Sequence, residues 1–123
     1  MRALIVDDSR SIRSYVRLLL ERRGLECIEA GDGREALAAM QECGACDLAL
    51  VDINMPVMGG LECVKAIRNL PQMNSMKIMM VTSDADHASI QAALEAGADE
   101  YLMKPFDAAG LVGKLQMIGI CKA

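Results

Sequence analysis

The chain has 123 residues, 53 % of them hydrophobic and 24 % charged, which is enough for one well-packed domain and too little for two. A net charge of −4 with scattered lysines and arginines argues against direct nucleic-acid binding, which needs clustered positive charge. The opening apolar run, Ala3 to Val6, is too short for a signal peptide or a membrane span, so a cytoplasmic protein with no membrane contact is expected.

Short continuous apolar runs alternate with segments of helical period, the pattern of an α/β domain. A first strand is expected over about residues 2–6, ended by Asp7 and Asp8. Ser9 or Ser11 can cap a helix with Ile12, Val16, Leu19 and Leu20 on one face and Arg13, Arg17 and Glu21 on the solvated one, stopped by Gly24. Leu25 to Ala30 reads as a second strand, made polar by Glu26 and Glu29 and so an edge. Asp32 followed by Glu35 is a capping-box pattern that opens a helix through Ala36, Leu37 and Met40 to Gly44.

Leu48 to Val51 is the third strand, apolar on both faces as a buried parallel strand is, and Asp52 ends it. Asn54, Pro56, Gly59 and Gly60 then force a loop, after which Leu61, Val64 and Ile67 mark a helix that fails near Pro71. A polar connection over residues 72–75 leads to a fourth strand at about 77–82 and to Thr82-Ser83-Asp84. Asp86 can cap a helix from His87 to Ala96 that Gly97 ends. Glu100 to Met103 is the fifth strand, with Lys104-Pro105-Phe106 as its exit. Asp107 caps a last helix carrying Leu111, Val112, Leu115 and Ile118, so that residues 1–123 read as a single domain of five β/α units.

The five cysteines, Cys27, Cys43, Cys46, Cys63 and Cys121, are odd in number and scattered, which predicts free buried thiols in a reducing compartment. Cys43 and Cys46 have the spacing of a zinc half-site, but there is no second pair and His87 is the only histidine. Packing must come from aliphatic residues and the ten methionines, because Tyr15, Tyr101 and Phe106 are the only aromatics.

Parallel strands bring their carboxyl ends to one edge, where open α/β sheets place their chemistry. Asp7, Asp8, Asp52, Thr82 and Lys104 all follow or end strands here. Mg²⁺ takes oxygens in octahedral array and usually only one or two carboxylates. Asp8 and Asp52 can supply these, with the backbone carbonyl of Asn54 as a further oxygen and Asp7 acting through water. Without a cation, acids a few ångström apart repel by about 4 kcal/mol per close pair at an effective dielectric near 20, so Mg²⁺ is expected to raise the melting temperature. No glycine-rich phosphate loop follows the first strand, and no hydroxyl or thiol is paired with a base. The group suited to attack is the Asp52 carboxylate, as in aspartyl phosphates, with Mg²⁺, Lys104 and the Thr82 hydroxyl stabilising phosphoryl oxygens.

The segments Val6-Asp7-Asp8-Ser9, Asp52-Ile-Asn-Met-Pro-Val-Met-Gly-Gly60, Val81-Thr82-Ser83, Ala96-Gly-Ala-Asp-Glu-Tyr101 and Lys104-Pro105-Phe106 occur in this order over essentially the whole chain. Together they resemble the response-regulator receiver domains of two-component signalling, and among these the stand-alone CheY-like type. The resemblance implies a flavodoxin-like, doubly wound five-stranded parallel sheet of order 2-1-3-4-5 with five helices. It implies phosphorylation of Asp52 by a histidine kinase, with Mg²⁺ held by Asp7, Asp8, Asp52 and the Asn54 carbonyl, and phosphoryl oxygens met by Thr82, the Ser83 backbone amide and Lys104. Thr82 and Tyr101 would form the switch pair, Lys104-Pro105 would be a cis peptide, and the face of the fourth helix, fifth strand and fifth helix would bind a downstream target protein, as in chemotaxis. The protein would then be no enzyme beyond handling its own phosphoryl group, and a monomer or weak dimer.

Two alternatives are a Mg²⁺-dependent aspartyl-phosphate phosphatase, which wants an acid where Asn54 stands, and a receiver fragment of a longer DNA-binding regulator. On the last helix, Gly113, Met117 and Ile120 follow the helical period on a side away from Leu111 and Leu115. With Tyr101 they are expected to form an apolar docking stripe.

Overall fold

The computed structural model describes residues 1–44, 46–55, 57–83 and 87–120. Its elements run β1 (Arg2–Val6), α1 (Arg10–Glu21), β2 (Glu26–Ala30), α2 (Gly33–Cys43), β3 (Leu48–Asp52), α3 (Gly60–Arg68), a short 3₁₀ helix (Pro71–Met73), β4 (Lys77–Thr82), α4 (His87–Ala96), β5 (Glu100–Met103) and α5 (Ala108–Met117). The sheet has the expected order, β2-β1-β3-β4-β5, with every neighbouring pair parallel. The chain steps from β1 outward to β2 and then returns past β1 to β3. The carboxyl ends of β1 and β3 therefore flank the point where the winding reverses, and a crevice forms there.

Strand side chains alternate between two apolar layers. Leu4, Val6, Ala49, Val51, Ile78 and Met80 pack with Ala36, Met40, Val64, Ile67 and Ala93 of α2, α3 and α4. Ala3, Ile5, Leu48, Leu50, Met79 and Val81 pack with Val16, Leu20, Leu111 and Leu115 of α1 and α5. All five residues of β3 are buried, as its unbroken apolar run requires, whereas edge strand β2 exposes Glu26 and only half-buries Cys27, Ile28 and Glu29.

Local capping follows the sequence. Ser9 Oγ accepts from the Ile12 N–H (3.3 Å), Asp32 Oδ1 from the Glu35 N–H (2.9 Å) and Asp107 Oδ1 from the Gly110 N–H (2.8 Å). The Glu35 carboxylate turns back to the Gly31 N–H (3.1 Å), one residue before the capping position of a standard capping box. The expected cap Asp86 lies outside the described residues.

Three expectations need correction. Residues 72–75 do not form a plain polar connection: the chain first makes the 3₁₀ turn Pro71–Met73, because Met73 and Met76 are both buried and pin it to the sheet. The four described thiols are free, but Cys43 is exposed, while Cys46 and Cys63 are buried and Cys27 is half-buried; Cys121 lies outside the described residues. Burial pushes the Cys27 thiol up to about 11 and Cys63 to about 12, so neither is a reactive thiolate.

The proposed docking stripe on α5 is also broken. The helix stops at Met117, Gly119 takes φ +81°, and the Ile120 N–H returns to the Leu115 carbonyl (2.9 Å). This left-handed stop folds Ile120 onto the α1/α5 layer, while Met117 stays 69 % exposed. Among the described residues no helix is long and apolar enough to cross a membrane.

Candidate functional site

Asp7 directly follows β1 and its N–H extends the ladder to the Ala30 carbonyl (3.1 Å). The residue is 3 % exposed and each of its carboxylate oxygens accepts a hydrogen bond, Oδ1 from the Ser9 N–H (2.9 Å) and Oδ2 from Lys104 Nζ (2.8 Å). Asp8, one residue on, turns out to solvent. Asp52 ends β3 at 6 % exposure, with Oδ1 accepting from the Asn54 N–H (3.3 Å) and Oδ2 3.7 Å from Lys104 Nζ. The three carboxylates each offer an oxygen within 4.8 Å of the other two.

Lys104 reaches this cluster although β5 lies three strands from β1. Its N–H donates to the carbonyl of Thr82, the last residue of β4 (2.7 Å), carrying the ladder one residue past the end of β5, and the following bond to Pro105 is cis. Thr82 ends β4 beside β3 and is 2 % exposed; Ser83 and Asn54 are exposed at the same rim, and Asp84 lies outside the described residues. A cavity of about 420 Å³ opens next to Lys104 between Ile12, Tyr15, Ser83, Pro105 and Phe106, with the Tyr15 hydroxyl donating to the Phe106 carbonyl (3.2 Å).

The loop after Asp52 is tightly seated. A Cβ on Gly60 would meet the Asp52 carbonyl oxygen and lie 2.7 Å from Ile53 Cα, so only glycine lets the start of α3 pack on the backbone of Asp52. In the same loop Val57 holds φ +67°, a conformation costly for a β-branched residue.

Burial raises the Asp52 pKa first, the negative charge of Asp7 adds to this, and Lys104 and the Asn54 N–H offset only part. Among the described residues one ammonium thus faces three carboxylates, an oxygen-only donor set with surplus negative charge. That is the chemistry a hard divalent cation such as Mg²⁺ fits, with Asp7, Asp8 and Asp52 to hold it.

Tyr101 lies half-buried on edge strand β5, packed against the α2–α4 layer. Lys114 of α5 reaches round the sheet edge, its Nζ 4.5 Å from the ring centroid and 3.2 Å from Glu100 Oε1. Met117 and Ile120 are remote from one another in environment, as described above. Sequence reasoning assigned Arg13 to the solvated face of α1, yet its Nη1 donates to the Asp7 carbonyl (2.6 Å) and its Nε to Glu29 Oε1 (3.1 Å). The signal was a polar residue, Glu29, on a strand facing an arginine-bearing helix.

Residues 3–116 match the response regulator receiver domain. The chain is 34 % identical over 119 residues to the chemotaxis protein CheY1 of Helicobacter pylori, covering 96 % of each. It is 37 % identical over 115 residues to the CAI-1 autoinducer sensor kinase/phosphatase CqsS of Vibrio cholerae, covering 93 % of this chain but only 17 % of that protein. Among solved structures it superposes on chemotaxis protein CheY4 of Vibrio cholerae with a TM-score of 0.89 at 41 % identity, covering 95 % of this chain and 97 % of the other.

Proposed function

The chain belongs to the response regulator receiver domain family, and we propose that it is a stoichiometric phosphoacceptor, taking a phosphoryl group on Asp52 from a histidine kinase in the cytoplasm and changing its affinity for a downstream protein. The observation that carries this reading is the buried Asp52 carboxylate, with an ammonium 3.7 Å away and two further carboxylates within 4.8 Å. An Asp52 oxygen attacks the phosphorus of a phosphohistidine, the new O–P bond forms as the N–P bond breaks, and the imidazole leaves with a proton from solvent. Lys104 lies where it can pass from Asp7 to a phosphoryl oxygen, and Thr82, the Ser83 amide and Lys104 are the donors for the remaining charge. A Mg²⁺ held by Asp7, Asp8, Asp52 and the Asn54 carbonyl would neutralise phosphoryl charge there.

The switch is assigned to Thr82 and Tyr101, and the target-binding face to α4, β5 and α5, with Met117 exposed on it. The names of CheY1 and CheY4 support a role in chemotaxis, whereas CqsS carries its similar stretch as a small part of a sensor kinase. Acetyl phosphate with Mg²⁺ tests the proposal. One acid-stable, base-labile phosphoryl group per chain, lost in Asp52→Asn, is expected; repeated turnover of phosphate esters would instead favour a hydrolase.

A further inference from the structure

We propose that Arg13 is a positioning residue for the cation site, holding the peptide that joins Asp7 to Asp8. This rests on the reading of Asp7, Asp8 and Asp52 as a divalent-cation site. The Asp7 carbonyl and the Asp8 N–H and Cα belong to one rigid peptide plane, so whatever fixes that carbonyl fixes the point from which the Asp8 side chain departs and leaves φ as the one backbone rotation before it. Arg13 Nη1 donates to this oxygen at 2.6 Å. Asp8 is otherwise exposed, and the Asp7 side chain is committed to Ser9 and Lys104.

The guanidinium is itself held. Its Nε donates to Glu29 Oε1 on β2 (3.1 Å), in a site where the side chains of Arg13 and Glu29 are only 18 % and 28 % exposed. Arg17 supplies an internal comparison. Its Nε lies 2.8 Å from the other Glu29 oxygen, as an ion pair not aligned for a hydrogen bond, and its Nη2 donates to the Cys27 carbonyl (3.0 Å). Both arginines tie α1 to β2, but only Arg13 touches the loop that presents the acids.

The sign of the electrostatics separates positioning from charge. A guanidinium beside a cation site repels the cation, so deleting that charge alone would tighten Mg²⁺ binding. Weaker binding on removal of Arg13 therefore reports lost geometry, as it does for the partners that orient metal ligands elsewhere.

The experiment is calorimetric titration of the full chain with MgCl₂ at constant ionic strength, alongside melting curves in EDTA. Arg13→Met is expected to weaken Mg²⁺ about tenfold, Arg13→Lys to recover part of the loss, and Arg17→Met to change Kd by less than about twofold while lowering the melting temperature as much as Arg13→Met does. Glu29→Gln, which frees Arg13 from its anchor, is expected to fall between, and with Arg13→Lys it carries the test if Arg13→Met does not fold. An unchanged or tighter Kd in Arg13→Met, or an equal loss in Arg17→Met, overturns the assignment while wild type still binds. Wild type that takes up no Mg²⁺ at millimolar concentration overturns the cation site itself.

Discussion

Replacing Asp52 by asparagine should make the cation-free protein more stable while destroying its chemistry. Asp7 and Asp52 oxygens lie within 4.8 Å, so their repulsion is at least about 3.5 kcal/mol at an effective dielectric near 20. Lys104 at 3.7 Å returns about 4.5 kcal/mol, and exposed Asp8 adds a smaller, solvent-screened repulsion. These contributions nearly cancel, leaving the cost of holding an ionised carboxylate in a buried place, which is also the largest cause of its raised pKa. Asparagine keeps the shape, and its oxygen can still accept from the Asn54 N–H. A gain of about 1–2 kcal/mol is expected in EDTA, or roughly 3–10 °C in melting temperature for a chain of this size.

In saturating Mg²⁺ the order should reverse. At about a hundred times its Kd the cation stabilises wild type by about 2.7 kcal/mol, and the variant, with one ligand neutralised, by much less. Thermal melts in EDTA and in Mg²⁺ would show the two curves exchanging places. An asparagine variant that melts at or below wild type in EDTA would refute the electrostatic reasoning.

The raised pKa of Asp52 has a second reading in pH. Its contribution to cation-free stability is greatest below the unfolded value and is lost as pH rises through the raised folded one, so Asp52→Asn should flatten that part of the stability profile. Protons and Mg²⁺ compete for the same oxygen, so Mg²⁺ affinity measured by calorimetry should weaken as pH falls through that window. Gly60→Ala pushes a methyl group into the Asp52–Ile53 backbone; a loss of about 1–3 kcal/mol in urea unfolding is expected, together with slower acetyl-phosphate labelling. Val57→Gly removes left-handed strain from an exposed position, and a gain of about 0.5–1 kcal/mol by the same unfolding assay is expected, with no gain if the loop already relaxes around valine.

What could be read from the sequence was whatever is local or periodic. The unbroken run Leu48 to Val51 announced a central strand, and Ser9, Asp32 and Asp107 announced helix starts, because a cap needs only its next three residues. The meeting of Asp7, Asp8, Asp52 and Lys104 was legible because parallel strands put their ends on one rim. Arg13 was not, since periodicity marks a helix face as polar without saying whether water or a strand glutamate answers it. Ile120 was misplaced for a related reason: helical spacing extends indefinitely on paper, and only the left-handed turn at Gly119 ends it. The turn at Pro71–Met73 depended on burial of Met73 and Met76, a tertiary matter.

The sparse aromatic content has a practical optical consequence. Tryptophan is absent, and the two tyrosines lie at the margin of the aliphatic and methionine interior: Tyr15 exposed and bonded to the Phe106 carbonyl beside Lys104, Tyr101 half-buried against the α2–α4 layer with the Lys114 ammonium over its ring. Intrinsic emission from the native protein therefore originates at these two positions on the margin of the packing, so an unmodified sample carries its own fluorophores where ligands and partners would act, and the aliphatic centre of the fold stays dark.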